Sequence, residues 1–579
     1  MGYLKLTRVP PQTLGWALHP IRPQIEGIPN PDFVTRSSCT SAGGSSHRAV
    51  IRAVNGAVNR AVNRAVNRAV IRPLPSVAQR PLAPMIPGLL RTLLVLATLG
   101  SAFGTVLQAQ IPESEFAARR QALSRTVGDG VLLVLGAPEP VPDYLPWDQS
   151  RSFFYLTGFR EPNSALVMVR KNGRVTGMMF VPPSDPAREV WNGRRLGVAG
   201  VRSRFAMEGR DVGTLMRVID SLLTDAATVH VVGDFAGGVM NRTPHSQVLE
   251  ALRVKHPQRT INDVGAAVAT MRGVKSAGEL DRLRTATEIS ARGHLAAIRL
   301  ATPGVAEFEL QAAAEHVWRS EGSDGPGYVS IVGSGPNSTV LHYNDNSRIT
   351  ASGDLVVMDM AGQYDGYSSD ITRTIPVNGK FSPAQREIYE IVLAAQTAAE
   401  RQVKPDAPAQ RMTDSANAAL ALGLTRVGLI ESPSATYDCS AGARPRQCSQ
   451  LSLYYMHGLG HGIGLDVHDP DQYYETGMIN VGSAFTIEPG VYVRAQLASI
   501  IPDTPRNTAW KAKLAPALER YAGIGVRIED DYLVTATGVE RPSALVPREI
   551  EALERLLAQP RTPRDPTVTT RYLRDRTGR

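Results

Sequence analysis

Apolar residues in this chain follow two successive rhythms. Before about residue 272, short apolar runs alternate with amphipathic stretches. The runs 131–136, 153–159, 165–169, 177–181 and 228–232 are short and rich in β-branched and aromatic residues, so they predict strands. Segments 114–126, 210–224 and 245–255 carry the wider period of a helix. That alternation predicts an α/β domain over 110–272. The second rhythm begins with Ser276 and Glu279, spaced as a capping box, ahead of a helix that Thr302-Pro303-Gly304 halts. Further helices are expected over 306–320 and, opened by Ser382-Pro383, over 383–402. Strands are expected at 328–332, 355–360, 485–488 and 526–535, which makes 273–558 an α+β domain. The polar residues 559–579 predict a flexible tail.

The first 109 residues fit neither rhythm. Residues 49–72 read AVIRAVNGAVNRAVNRAVNRAVIR within a stretch rich in Pro, Ser and Gly, and no apolar segment there could pack against the repeat. Residues 1–84 are therefore expected to be a non-native or disordered extension, with the start at Met85. From Met85 one Arg precedes an uncharged apolar stretch and small residues near Ala109, the layout of a signal peptide over 85–109. An uncleaved anchor is the weaker alternative, because several Gly and Thr interrupt the stretch. The expectation is export to a periplasm or the exterior, with no stable membrane span after processing.

Charge changes little once it is located. The formal net charge of +9 belongs entirely to residues 1–84, which leaves 52 basic and 52 acidic side chains in the remainder. A folded region without net charge lacks the basic footprint of a nucleic-acid binder. Cys39 lies in the extension; Cys439 and Cys448 stand nine apart around Gly and Pro. A surface disulfide suits an oxidising compartment, whereas a tetrahedral metal site would need further Cys or His. Two free thiols are also open.

Chemistry concentrates in three stretches. In DLVVMDMAGQYDGYSSDITRT, Leu355, Val357 and Asp359 share a strand face, so a carboxylate occupies a core position, and Asp370 follows eleven residues later. In YYMHGLGHGIGLDVHD, His457, His461 and His468 sit among four glycines that argue against a helix and for a backbone bent around a site. Glu488 and Glu529 stand in apolar strands, with Arg527 on the same face as Glu529. Four close carboxylates would repel one another, and two divalent cations remove that difficulty. An oxygen-rich set with one nitrogen suits manganese, cobalt or iron, with zinc also admissible.

In order and spacing, Asp359, Asp370, His461, Glu488 and Glu529 resemble the ligand set of the pita-bread metallopeptidases. The segments PWDQSRSFFYLTGFREPNSAL, REVWNGRRLG and IVGSGPNSTVLHY resemble aminopeptidase P among them, over about 115–555. The resemblance implies an α+β fold, a pita-bread catalytic domain preceded by an α/β N-terminal domain. It implies Asp359 on one metal, His461 and Glu488 on the other, and Asp370 and Glu529 bridging both. His342 and His468 would steady the scissile carbonyl and the tetrahedral intermediate, His457 would line the pocket, Arg527 would orient the bridging carboxylates, and Trp191 would reach the cleft. The implied reaction is hydrolysis of the N-terminal Xaa-Pro bond of peptides with penultimate proline. A hydroxide between two cations, manganese first, would be the nucleophile, and Glu488 would take its proton. The partners are such peptides and not nucleic acid, with a homo-oligomer allowed. A prolidase restricted to Xaa-Pro dipeptides is the alternative. A metal-free binding relative is disfavoured, because all five ligand positions are filled.

Overall fold

A computed structural model describes residues 111–235, 243–442, 444–470 and 477–577. The extension over 1–84 and the expected signal segment over 85–109 lie outside these residues. Helix α1 (Glu113–Val127) leads into β1 (Gly130–Leu135), followed by α2 (Arg151–Thr157), β2 (Ala165–Lys171), β3 (Arg174–Val181) and α3 (Pro186–Asn192). Then come β4 (Glu208–Asp211), α4 (Leu215–Asp225), β5 (Thr228–Val232), α5 (Pro244–Lys255), β6 (Thr260–Asp263) and α6 (Gly265–Arg272). The six strands form one mixed sheet in the order β4-β3-β2-β1-β5-β6. Strand β1 reads as an unbroken apolar run because both its faces are covered. Val131, Leu133 and Leu135 pack with Ile219 of α4 and Leu252 of α5. Leu132 and Val134 enter a second cluster that reaches Ile463, Leu465 and Leu533, so the N-terminal sheet and the C-terminal half share a core.

The C-terminal half opens with α7 (Ala277–Leu300), whose N-terminus carries the expected capping box: Ser276 accepts from the Glu279 amide, and Glu279 accepts in return. After α8 (Glu307–Ser320), strands β7 (Ile331–Ser334), β8 (Leu355–Asp359) and β9 (Thr372–Pro376) form an antiparallel sheet in the order β9-β8-β7. Helices α9 (Pro383–Glu400) and α10 (Gln410–Arg426) precede β10 (Ala484–Ile487) and β11 (Gly490–Val493), and α11 (Pro505–Tyr521) precedes β12 (Ile524–Arg527) and β13 (Asp530–Thr535). Strand β10 pairs with β13, and β11 pairs with β12. A disulfide joins Cys439 to Cys448 across a two-stranded hairpin, Thr436–Asp438 with Gln447–Ser449. Among the described residues no helix is long and apolar enough to cross a membrane.

Five expectations are corrected. The aromatic run at 153–159 is not a strand: Arg151–Thr157 is a helix with Phe153 to Thr157 all buried, ended by Gly158 at φ 64°. An all-apolar run carries no period to separate a buried helix from a buried strand. The segment 526–535 is two strands, because β12 and β13 take different partners and the chain breaks at Ile528-Glu529. The strand expected at 328–332 starts at Ile331, which leaves Tyr328 in the loop ahead of it. The helix expected over 210–224 starts only at Leu215, since Glu208–Asp211 pairs with β3. The tail at 559–579 carries helix α12 (Pro566–Thr577), where the Tyr572 ring packs 4.9 Å from Phe308 while Arg564 pairs with Glu309.

Candidate metal centre

Strand pairing brings the acidic residues together. Asp359 ends β8 opposite Thr372 of β9, and Asp370 lies two residues before that Thr, beside Asp359. The Tyr328 hydroxyl fits between them, 2.6 Å from Asp359 Oδ1 and 2.5 Å from Asp370 Oδ1. Glu529 occupies the break between β12 and β13, where an isolated bridge joins it to Thr372 and the Thr372 hydroxyl donates to Oε2 at 2.6 Å. Glu488 follows directly on β10.

His461 arrives on the glycine-rich segment, which contains no helix. A side chain at Gly460 would collide with the Thr486 carbonyl, and one at Gly464 with the Asp469 carboxylate. Glycine thus lets the segment press against β10, where the Thr486 amide donates to the His461 carbonyl at 2.9 Å. His461 Nδ1 rests 3.1 Å from the Gly462 carbonyl, and Nε2 faces Asp370 at 3.5 Å and Glu488 at 3.6 Å.

All five residues line one cavity of about 460 Å³, together with His342, His457, His468, Arg527 and the apolar Val329, Ile331, Leu341 and Val467. The His468 ring lies 3.9 Å from that of His461, and His457 meets the Tyr492 hydroxyl at 2.9 Å. Arg527 differs from expectation. It pairs directly with Asp359 and reaches Glu529 through the Thr372 hydroxyl, 3.2 Å from its Nε, while its Nη1 donates to Tyr492 at 2.9 Å. Trp191 stands apart: on the short α3 it is 80% exposed and does not line the cavity, so within one chain the expected reach into the cleft is not met. Sequence reasoning missed Tyr328, Thr372 and Tyr492, which look like ordinary loop and strand residues until the fold brings the first two hydroxyls to the carboxylates and the third to His457 and Arg527.

The electrostatics ask for positive charge. Burial, then the charges of Asp370, Glu488 and Asp359, push Glu529 far above the usual carboxylate range. Burial also raises Asp359, and it lifts Glu488 to about 7 against the pull of His461 and Arg527. Burial opposes ionisation of Asp370 too, but hydrogen bonding from His461 and Tyr328 holds it below the usual value. Burial likewise opposes a proton on His461, yet Asp370 and Glu488 raise it to about 9. A proton on His461 therefore stands where a cation would. One atom each from Asp370, His461 and Glu529 lie within 4.8 Å of one another, and among the described residues the buried Glu529 Oε1 accepts no hydrogen bond. An oxygen-rich donor set with an unpartnered buried carboxylate oxygen fits a divalent cation.

Comparison with known proteins agrees with this geometry. Residues 281–536 match metallopeptidase family M24, and residues 116–232 match the N-terminal domain of aminopeptidase P. The Xaa-Pro aminopeptidase of Escherichia coli K12 is 34% identical over 464 residues, spanning 77% of this chain and 98% of the bacterial one. Human Xaa-Pro aminopeptidase 3 is 28% identical over 452 residues, covering 76% and 83% respectively. The structure of E. coli aminopeptidase P with the inhibitor Pro-Leu superposes with a TM-score of 0.65 at 31% identity, covering 78% of this chain and 99% of that one. These likenesses bear out the pita-bread catalytic half behind an α/β domain. The chain belongs to metallopeptidase family M24, with the N-terminal domain of aminopeptidase P ahead of its catalytic half.

Proposed function

We propose that this metallopeptidase removes the first residue from peptides whose second residue is proline, using two divalent cations, manganese first, held by Asp359, Asp370, His461, Glu488 and Glu529. The observation that carries the proposal is the convergence of these five side chains and three further histidines on one cavity of about 460 Å³. Bound cations supply a Lewis acid for the scissile carbonyl and make water acidic enough to attack at neutral pH. Glu488 lines the same cavity, where its carboxylate can accept the proton of the attacking water and return it to the departing proline nitrogen. His342 and His468 flank the same space, where their N–H groups stabilise the carbonyl oxygen as it gains charge. His457 is driven down to about 3 by burial and by Arg527, so it serves as a neutral hydrogen-bonding wall. Val329, Ile331, Leu341 and Val467 offer the apolar surface that a proline ring needs, since that residue has no amide N–H to recognise.

Turnover of an Xaa-Pro-Yaa peptide, an Xaa-Pro dipeptide and an Xaa-Ala-Yaa control by chelated and manganese-restored protein tests this. Restored cleavage of the Xaa-Pro-Yaa peptide is expected. Cleavage of the dipeptide alone would identify a prolidase, and metal-independent cleavage would refute the site. We also propose export after removal of residues 85–109, a reading supported by the Cys439–Cys448 disulfide, since such bonds persist in oxidising compartments. Intact-mass measurement of the native protein should place its N-terminus near Gln110. Native protein that retains residues 1–84 would refute this.

A further inference from the structure

The loop bearing His468 is gripped from outside the catalytic half. Arg272, the last residue of α6 and 6% exposed, aims its guanidinium into that loop. Its Nη2 and Nε lie 2.8 Å and 3.1 Å from one oxygen of Asp469, and Nη2 also pairs with Asp466. The buried ammonium of Lys275 donates to the Asp469 carbonyl. Asp469 organises the loop from within: its carboxylate accepts the Leu465 amide at 2.9 Å and its own amide donates to Gly462 at 2.7 Å. The carboxylate also fills the space that a side chain at Gly464 would need. Val467 and His468 are the loop residues that line the cavity, while Arg272 and Lys275 do not line it.

Two buried cations on one short loop are costly to desolvate, and they fix its geometry from three directions. We propose that Arg272, assisted by Lys275, is a positioning residue that sets where His468 stands over the reacting carbonyl, so that the N-terminal domain controls turnover through this one loop. The inference rests on the aminopeptidase reading and on His468 as a donor to the carbonyl oxygen. An ordinary inter-domain ion pair would stabilise the fold without acting through any one cavity residue, and that difference is measurable.

The experiment is a double-mutant cycle on the full-length, metal-loaded enzyme, with kcat, KM and bound metal measured on an Xaa-Pro-Yaa peptide. Arg272→Met is expected to lower kcat by about ten- to a hundredfold with bound metal unchanged, the scale of a catalytic group displaced by about 1 Å. Arg272→Lys, which keeps the charge and one arm, should recover part of that loss. In a His468→Ala background the same Arg272→Met change should lower kcat less than about twofold further. An equal fall in both backgrounds, or loss of metal, would overturn the proposal. Asp466 is 48% exposed, so Asp466→Asn removes the charge from one arm, and from a 3.7 Å pairing with Arg151, without stranding a buried charge. If Arg272→Met does not fold, the Asp466→Asn cycle decides by the same criterion. A parent enzyme that leaves the peptide intact would sink the aminopeptidase reading and this inference together. An active parent with an additive cycle would sink the inference alone.

Discussion

Glu529→Gln separates the metal site from the fold, because its effects on the two states differ. At the 4.8 Å limit within which the Asp370, His461 and Glu529 ligand atoms lie, two ionised carboxylates repel by about 3 kcal/mol at an effective dielectric of about 20. That repulsion and burial both favour the protonated acid at Glu529 when no cation is bound, in line with its strongly raised pKa. A glutamine has nearly the shape and charge of that protonated acid, so the metal-free variant should melt within about 2 °C of the metal-free parent. With a cation the comparison inverts. Losing one unit of negative charge forfeits at least about 3 kcal/mol of attraction per cation, more than about a hundredfold in affinity. The parent at about a hundred times its Kd gains about 2.7 kcal/mol, a rise of about 5 °C, and the variant should gain almost none. Scanning fluorimetry of chelator-stripped protein titrated with manganese gives both numbers, and peptide hydrolysis should fall with the metal response. A variant that keeps the parental response to manganese, or whose metal-free form unfolds far earlier, would refute the assignment of Glu529.

Three further outcomes follow from particular contacts. His461 titrates near 9 and Glu488 near 7 without a cation, and both must lose protons to bind one; competition with a chelator should show affinity falling by more than about tenfold between about pH 8 and about pH 6. Arg373 and Asp530 form a pair at 2.6 Å with neither side chain exposed, and Arg541 and Arg548 also face that carboxylate, so Arg373→Met removes one of three partners and should cost about 1.5–3 kcal/mol in urea unfolding. Replacing Cys439 and Cys448 by serine opens a short loop whose closure is worth about 2–3 kcal/mol, and hydrogen exchange over 436–449 should quicken while exchange in β8 and β9 does not.

What the sequence reveals of such a site depends on whether a residue's neighbourhood is local. Asp359 is legible because a carboxylate at the core position of an apolar strand is costly unless something neutralises it. The glycines around His461 are legible as well, since glycine at every second position from 458 to 464 argues against a helix. Tyr328, Thr372 and Tyr492 stay hidden because their hydroxyls acquire partners 31 to 157 residues away, through pairings that no local pattern encodes. Helix α2 is misread because its apolar residues face buried surroundings on every side, so the 3.6-residue period never appears. The grip of Arg272 on the His468 loop spans 194 and 197 residues and is equally silent in the sequence.

Three consecutive carboxylates, Glu529, Asp530 and Asp531, pose the hardest choice, because spacing alone cannot say which one serves a metal. Their surroundings can. Burial opposes ionisation of Asp530, but Arg373, Arg541 and Arg548 hold it below the usual range, so this charge is already neutralised. Asp531 is raised to about 7, chiefly by burial, and its oxygens are occupied by the hydroxyls of Thr287 and Ser369 and the amide of Asp370. It therefore braces the backbone of one proposed ligand without itself lining the cavity. Glu529 alone of the three faces the cavity with a buried oxygen that accepts no hydrogen bond among the described residues. Leaving such an acceptor unsatisfied costs about 1–3 kcal/mol, and more for a charged one. Its neighbours on either side of the strand have found protein partners, and the partner that Glu529 lacks is of the kind a divalent cation provides.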